Sequence, residues 1–150
     1  MPFFELGEVY PPTWPNKPPG LLERDFIIWD MYRKKHFPEF EKFYYNVPIT
    51  LATLPTEGLS KEMIRQAYFS SARRIDVVGV RKNGDIWLIE VTSFASVRAI
   101  GQAITYFYIW NKLKPLPGPF MAVILGQFFS YDIKEVAKAY NITLIEVQSF

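Results

Sequence analysis

The hydrophobic positions of the chain follow two periods, one typical of helices and one typical of strands. From Leu21 onward, apolar residues recur on one broad stripe, and the basic run Arg33-Lys34-Lys35 falls in the last turn, where cations suit the helix dipole. Pro38 ends that helix. The other apolar segments predict strands at 43–51, 74–80, 86–91, 120–125 and 143–147, and helices at 60–67, 96–112 and 132–140.

The main elements follow in the order helix, strand, hairpin, helix, strand, helix, strand. Helices that alternate with strands in this way bury their apolar stripes on the two faces of one sheet. We therefore predict a single α/β domain, residues 21–150, in which helices flank a mixed central sheet.

The N-terminal segment, residues 1–20, differs in character because it holds six of the twelve prolines together with several aromatic residues. Such a segment cannot form a regular helix or a central strand, so it is expected to be an extended arm. Two interpretations stay open. The arm covers apolar surface of its own domain, or it docks on a neighbouring subunit or another structural protein, since polyproline segments lose little entropy on binding.

Composition narrows the functional classes. The absence of cysteine excludes disulfides, thiolate metal sites and cysteine nucleophiles. The formal net charge of +2, from 17 basic and 15 acidic residues, allows contact with DNA without requiring it. No apolar run approaches the roughly 18 residues of a membrane span, and no signal peptide is recognisable. We expect no membrane partner, and a location in the cytoplasm or, if the protein is viral, in the virion.

Two acidic residues, Asp76 and Glu90, stand inside strands that are otherwise apolar. Each needs a partner, because burying an unpaired carboxylate is costly. The loop between the strands decides whether the two meet. A two-residue turn at Asn83-Gly84 puts their side chains on opposite faces of the sheet, whereas a three-residue loop that includes Lys82 sets Asp76 directly opposite Glu90.

We favour the three-residue loop for two reasons. It puts the large ring of Trp87 across from Gly79, which has no side chain. It also gathers four apolar residues on one face of the hairpin: Ile75, Val77, Ile89 and Val91. In this register Arg74 falls opposite Thr92, beside the two acids.

Carboxylates at cross-strand distance repel each other unless a cation lies between them. Carboxylate oxygens, a backbone carbonyl and waters suit Mg²⁺ or Mn²⁺, so a divalent metal site is one prediction. The alternative is an ion pair with Arg73, Arg74 or Arg98 that has a structural role.

With these features the sequence resembles the PD-(D/E)XK nuclease superfamily, in which an aspartate on the second strand precedes Glu-x-Lys on the third. Asp76 corresponds to the aspartate, and Glu90 begins a triplet that matches Glu-x-Lys except at Thr92. In the exonuclease-like branch, the helix after the third strand carries Gln-x-x-x-Tyr, which Gln102 and Tyr106 match.

The resemblance implies a restriction-endonuclease-like core over residues 21–147 and a Mg²⁺ or Mn²⁺ site. A glutamate on the first helix joins the metal site in the exonuclease-like branch, so the implied ligands are Glu23, Asp76 and Glu90. The sequence is also similar, more loosely, to small nuclease-fold proteins of tailed phages, some of which complete or connect the head at its neck.

The resemblance also implies that the chain lacks the catalytic lysine, because Thr92 stands at its position. In this superfamily the lysine orients the attacking water and stabilises charge at the phosphorus, and threonine is neutral and too short to replace it. By comparison with the loss of one charge-stabilising donor, activity is expected to fall on the order of a hundredfold to a thousandfold. Arg74 or Arg98 is a candidate displaced cation, although arginine stays protonated and cannot act as a general base.

Three functions stay open. We favour a nuclease fold with an impaired active site that is a structural or interaction component, in an oligomer or a viral particle. The first alternative is an active Mg- or Mn-dependent DNA nuclease that uses a displaced arginine. The second is a DNA-binding module that does not cleave.

Overall fold

Six strands and four α-helices alternate along the part of the chain that the structure describes. The computed structural model describes residues 4–148, so residues 1–3 of the predicted arm and 149–150 of the predicted domain lie outside the described residues. Within that range, none of the helices has the length and apolar character that crossing a membrane requires. The elements are β1 (Val9–Tyr10), α1 (Glu23–His36), a 3-10 turn (Phe37–Glu39), β2 (Phe40–Ile49), α2 (Lys61–Ser71), β3 (Arg73–Arg81), β4 (Ile86–Phe94), α3 (Val97–Leu113), β5 (Phe120–Phe128), α4 (Tyr131–Ala139) and β6 (Thr143–Glu146).

The six strands form one sheet in chain order, from β1 to β6. The first four strands are antiparallel to one another, whereas β5 pairs in parallel with β4, and β6 in parallel with β5. Parallel neighbours need a crossover connection, which α3 and α4 supply. The mixed sheet and its helices confirm the predicted α/β class.

The loop between β3 and β4 has the predicted three residues. The amide of Arg81 donates to the carbonyl of Asp85 at 2.8 Å and closes the loop. Gly84 has a φ of 95°, a left-handed value that favours glycine at this bulge position. The strands pair Gly79 with Trp87, so the predicted register is confirmed.

The two sheet faces are covered by different helices. Trp29 of α1 packs fully buried on one face, and α3 and α4 pack on the other. In β4, Ile89 and Val91 belong to the cluster that includes α1, whereas Leu88 belongs to the cluster that includes α3. Because successive side chains alternate between faces, Glu90 faces α3.

One expectation about these faces is wrong. Three of the four apolar hairpin residues pack with α1, whereas Ile75 packs with Val47 and Ile49 in the cluster on the other face. The neighbouring strand supplies the reason, because Asn46, just before Val47, has a φ of 54°. A left-handed residue interrupts the pleat, so the simple alternation does not continue past it.

The described part of the N-terminal arm lies against its own domain. β1 adds a short edge strand beside β2, and the ring of Tyr10 lies 5.1 Å from that of Tyr45. The Pro12 carbonyl accepts a hydrogen bond from Arg33 at 3.1 Å. The arm therefore covers apolar surface of the same chain, and docking on a neighbouring subunit stays a prediction.

Gly79 lies where the sheet leaves no room for a side chain. A Cβ atom there would come within 2.9 Å of Phe40 Cε1 and 3.2 Å of Phe43 Cε1. The glycine therefore accommodates these two buried rings as well as the facing Trp87. We predict that Gly79→Ala lowers the free energy of unfolding by about 1–3 kcal/mol, because the rings must move in a packed core. Urea denaturation measures this change.

Gly101→Ala is the matched control. An added Cβ at Gly101 meets nothing within 4 Å, and alanine is favoured over glycine inside a helix by about 1 kcal/mol. This variant is expected to be as stable as the wild type or more stable. Equal stability of Gly79→Ala and the wild type would contradict the packing described for the hairpin.

Candidate active site

A cleft opens between the start of α1, the carboxyl end of β4 and the first half of α3. Its volume is about 500 Å³, and polar groups dominate its surface. Seven of the eight site residues predicted from the sequence line it: Arg74, Asp76, Glu90, Thr92, Arg98, Gln102 and Tyr106. The eighth, Glu23, is not part of its lining.

The centre of the cleft is the pair Asp76 and Glu90. The two carboxyl groups lie close enough for each to shift the pKa of the other, and the amide of Val91 donates to Asp76 Oδ2 at 2.9 Å. Burial, followed by repulsion from Asp76, raises the pKa of Glu90 to about 9. Burial also raises the pKa of Asp76. At neutral pH the pair therefore holds one shared proton, and the two groups titrate together.

Tyr106 joins this pair to the backbone of β3. Its hydroxyl donates to the carbonyl oxygen of Arg74 at 2.7 Å and contacts Glu90 Oε1 at 3.3 Å. Burial foremost, and then the charge of Glu90, raise the pKa of Tyr106. Tyr106 therefore stays protonated and positions Glu90.

Gln102 lies one turn before Tyr106 on the same side of α3, as the four-residue spacing predicts. Its Oε1 atom is buried and has no hydrogen-bond partner within residues 4–148. An unpaired buried acceptor costs about 1–3 kcal/mol. The cleft thus presents an acceptor that a water or a ligand donor can satisfy.

The two arginines predicted as displaced cations differ in whether their side chains already have partners. Arg74 donates a hydrogen bond to the carbonyl of Phe69 and lies 5.0 Å from the centre of that ring, so its guanidinium is held against α2. The side chain of Arg98 is exposed at the cleft and makes no hydrogen bond or ion pair with another described residue. Its charge also lowers the pKa of Glu90, against the larger effect of burial. Arg98 is therefore the arginine able to meet a bound anion.

Arg74 also departs from its predicted position opposite Thr92. The β3–β4 pairs end at Val77 and Ile89, so Arg74 lies beyond them and is not paired with Thr92, although on the other edge of β3 it pairs with Pro48 of β2. Thr92 donates its hydroxyl to the carbonyl of Phe94 at 3.0 Å. Its side chain is thus engaged by the local backbone and supplies no charge to the cleft.

The first helix contributes a different acid from the one expected. Glu23 is exposed and outside the cleft, whereas Asp25, two residues later, lines it. Burial raises the pKa of Asp25, and the charge of Arg24 opposes this effect. The charge of Asp25 in turn contributes to raising the pKa of Asp76.

The helical period could have identified Asp25. Residues three and four positions apart share a helix face, and the positions that follow Asp25 at this spacing are Ile28 and Trp29. Both are fully buried core residues. An acid adjacent to the buried stripe is closer to the sheet than Glu23, which begins the helix.

The geometry does not supply three acidic ligands for one metal ion. Among residues 4–148, no group of three Asp, Glu, His or Cys side chains is close enough to hold an ion together. The pair itself fits Mg²⁺ or Mn²⁺, because a divalent cation in place of the shared proton removes the repulsion between two hard oxygen donors. Asp76 and Glu90 are thus the residues that would hold the ion, with waters completing its coordination.

We compared the sequence and the structure with those of known proteins, and the structural comparison identifies the fold. No protein-family model matches the sequence, and no curated protein matches it. The structure is similar to the crystal structure of a repair endonuclease from Pyrococcus abyssi, with a TM-score of 0.50 and 13% sequence identity. The match covers 89% of this chain and 50% of that one, so this chain spans about half the length of the endonuclease. The chain has a restriction-endonuclease-like α/β fold and is a nuclease-fold protein.

The shared proton predicts a dependence of stability on pH. A glutamate in the unfolded chain loses its proton near its model value of 4.5, whereas folded Glu90 holds it to about 9. Between these values the folded state binds more protons, so its free energy of unfolding falls as pH rises, by about 1.4 kcal/mol per pKa unit of difference. We predict that Glu90→Gln, which cannot ionise, melts progressively above the wild type as pH rises from 5 to about 9.

Melting temperatures measured without metal at several pH values test this prediction. The control is Glu135→Gln, which removes an exposed acid on α4 and should run parallel to the wild type. A difference between Glu90→Gln and the wild type that stays constant with pH would show that the folded pair holds no extra proton.

Proposed function

We propose that this nuclease-fold protein is a divalent-metal-dependent deoxyribonuclease of the PD-(D/E)XK type, with a weakened active site. The observation that carries the proposal is the half-buried Asp76–Glu90 pair in an open, polar cleft. Two acids forced to share a proton destabilise the fold at neutral pH, and functional sites are where proteins keep such groups. The presence of both acids at one site favours a metal site over a purely structural role.

The substrate class follows from the fold comparison and from charge. The similar protein is a repair endonuclease, which supports DNA as the substrate. Two arginines, Arg24 and Arg98, lie at the cleft beside the acids, where phosphate oxygens would find positive charge.

Each residue of the cleft then has a role. Asp76 and Glu90 would hold the ion, and Tyr106 keeps Glu90 in place through its contact at 3.3 Å. When bound, Mg²⁺ or Mn²⁺ supplies Lewis acidity and a water of lowered pKa. The unpartnered Oε1 of Gln102 accepts a hydrogen bond from the attacking water and orients it toward the phosphorus.

Arg98 replaces the superfamily's lysine in one of its two roles, the stabilisation of charge. It stabilises negative charge that develops on the phosphate, since it is free of other partners among the described residues. It does not remove a proton from water, because arginine stays protonated. The resulting enzyme is slower than one with lysine in place of Thr92.

A second candidate is favoured by one observation. Thr92 occupies the position that lysine has in the superfamily. Threonine is neutral, and its hydroxyl donates to the backbone carbonyl of Phe94, so this position supplies no charge to a phosphate. This supports the role that the sequence favoured, an inactive nuclease fold kept as an interaction component, in a viral particle as the phage resemblance implied.

Cleavage of labelled DNA in Mn²⁺ and Mg²⁺ distinguishes the two candidates. We expect slow, metal-dependent cleavage by the wild type that is lost in both Asp76→Asn and Glu90→Gln, because each removes a metal ligand. Thr92→Lys should be faster than the wild type. Cleavage by Thr92→Lys alone would identify a disarmed site and favour the second candidate, and cleavage that persists in both acid variants would exclude this site altogether.

The role of Arg98 has its own prediction. Arg98→Ala should lower the cleavage rate on the order of a hundredfold, the effect of losing one charge-stabilising donor. Lys138→Ala, which removes one positive charge from exposed α4, controls for net charge and should cleave at the wild-type rate. Equal losses in the two variants would assign the effect to long-range attraction of DNA.

A further inference from the structure

Two phenylalanine rings lie exposed where β4 and β5 end. Phe94 and Phe128 are paired neighbours in the parallel register, and their rings stack 5.5 Å apart at an angle of 17°. Their exposed fractions are 61% and 51%. Large apolar side chains exposed together in this way mark a binding surface more often than single ones do.

The pair is continuous with the candidate active site. Phe94 lines the same cleft as Glu90 and Arg98. The hydroxyl of Thr92 donates to the Phe94 carbonyl at 3.0 Å, and the amide of Ala95 donates to the Phe128 carbonyl at 3.3 Å. These bonds fix the backbone that carries both rings relative to the two acids.

Another exposed aromatic contact on the molecule lacks these features. Phe107 is 42% exposed and contacts Phe120 with ring centres 4.9 Å apart. It lines an apolar groove between α3 and α4 that contains no charged side chain. Of the two aromatic pairs, the one with Phe94 and Phe128 is therefore the one whose exposed ring lines a cleft that also contains arginines and acids.

We propose that Phe94 and Phe128 form a stacking platform for an unpaired DNA base, so that the substrate is single-stranded DNA or a single-stranded end. This inference rests on the proposed nuclease function and adds the substrate class to it. Inside a duplex both faces of a base are covered by its neighbours, whereas an unpaired base offers a free face to an aromatic ring. Phe128 covers one face of the Phe94 ring, and the other face is left for a base. Arg98 then meets a neighbouring phosphate.

Fluorescence anisotropy of labelled oligonucleotides tests the platform without cleavage. A single strand and the blunt duplex that contains it are titrated with protein in EDTA at one fixed salt concentration. The wild type should bind the single strand more tightly. Phe94→Leu, which keeps apolar bulk but loses stacking, should weaken single-strand binding about tenfold and leave duplex binding nearly unchanged, whereas Phe94→Trp should restore single-strand affinity.

Phe107→Leu is the matched control and should bind as the wild type does. Because binding is measured without metal, a wild type that cleaves no DNA but still binds the single strand through Phe94 would leave the platform standing, so the two proposals fail separately. Equal affinity of the wild type for single strand and duplex would overturn the platform, as would a Phe94→Leu variant that is folded and binds normally. A dimer of the wild type that dissociates in Phe94→Leu would assign the rings to a second copy of the chain and also overturn it.

Discussion

The contact between Asp76 and Glu90 is the constraint on which the rest of the structure depends. Two half-buried carboxyl groups meet where β3 and β4 border the cleft, and burial with mutual repulsion raises the pKa of Glu90 to about 9. Without metal they stay together by sharing a proton. The same arrangement makes their oxygens available to a divalent cation, so that one interaction accounts both for the cost to stability and for the proposed chemistry.

The scaffold offsets that cost on both sides of the sheet. Trp29 of α1 and Trp110 of α3 are fully buried on opposite faces, which fixes β3 and β4 between two apolar layers. Tyr106 then ties Glu90 to the Arg74 backbone. A rigid support of this kind keeps an unfavourable pair in place, as preorganised sites require.

The sequence predicts those features that depend on local rules. The Lys82-Asn83-Gly84 loop determines the hairpin register, and the four-residue spacing sets Gln102 and Tyr106 on one helix face. Features that depend on tertiary contacts were not predictable. Arg74 is drawn to Phe69 on α2, a packing partner distant from the hairpin. The choice of Asp25 over Glu23 depends on how α1 is rotated against the sheet, a rotation that the buried Trp29 sets.

Asp76 and Glu90 share one proton, and we propose that a divalent ion displaces it. Calorimetric titration with Mn²⁺ at pH 7, in several buffers of different ionisation enthalpy, measures the protons released per ion bound. We predict that the wild type releases close to one proton and that Glu90→Gln shows no such release. Binding without proton release, or no binding at millimolar Mn²⁺, would contradict it.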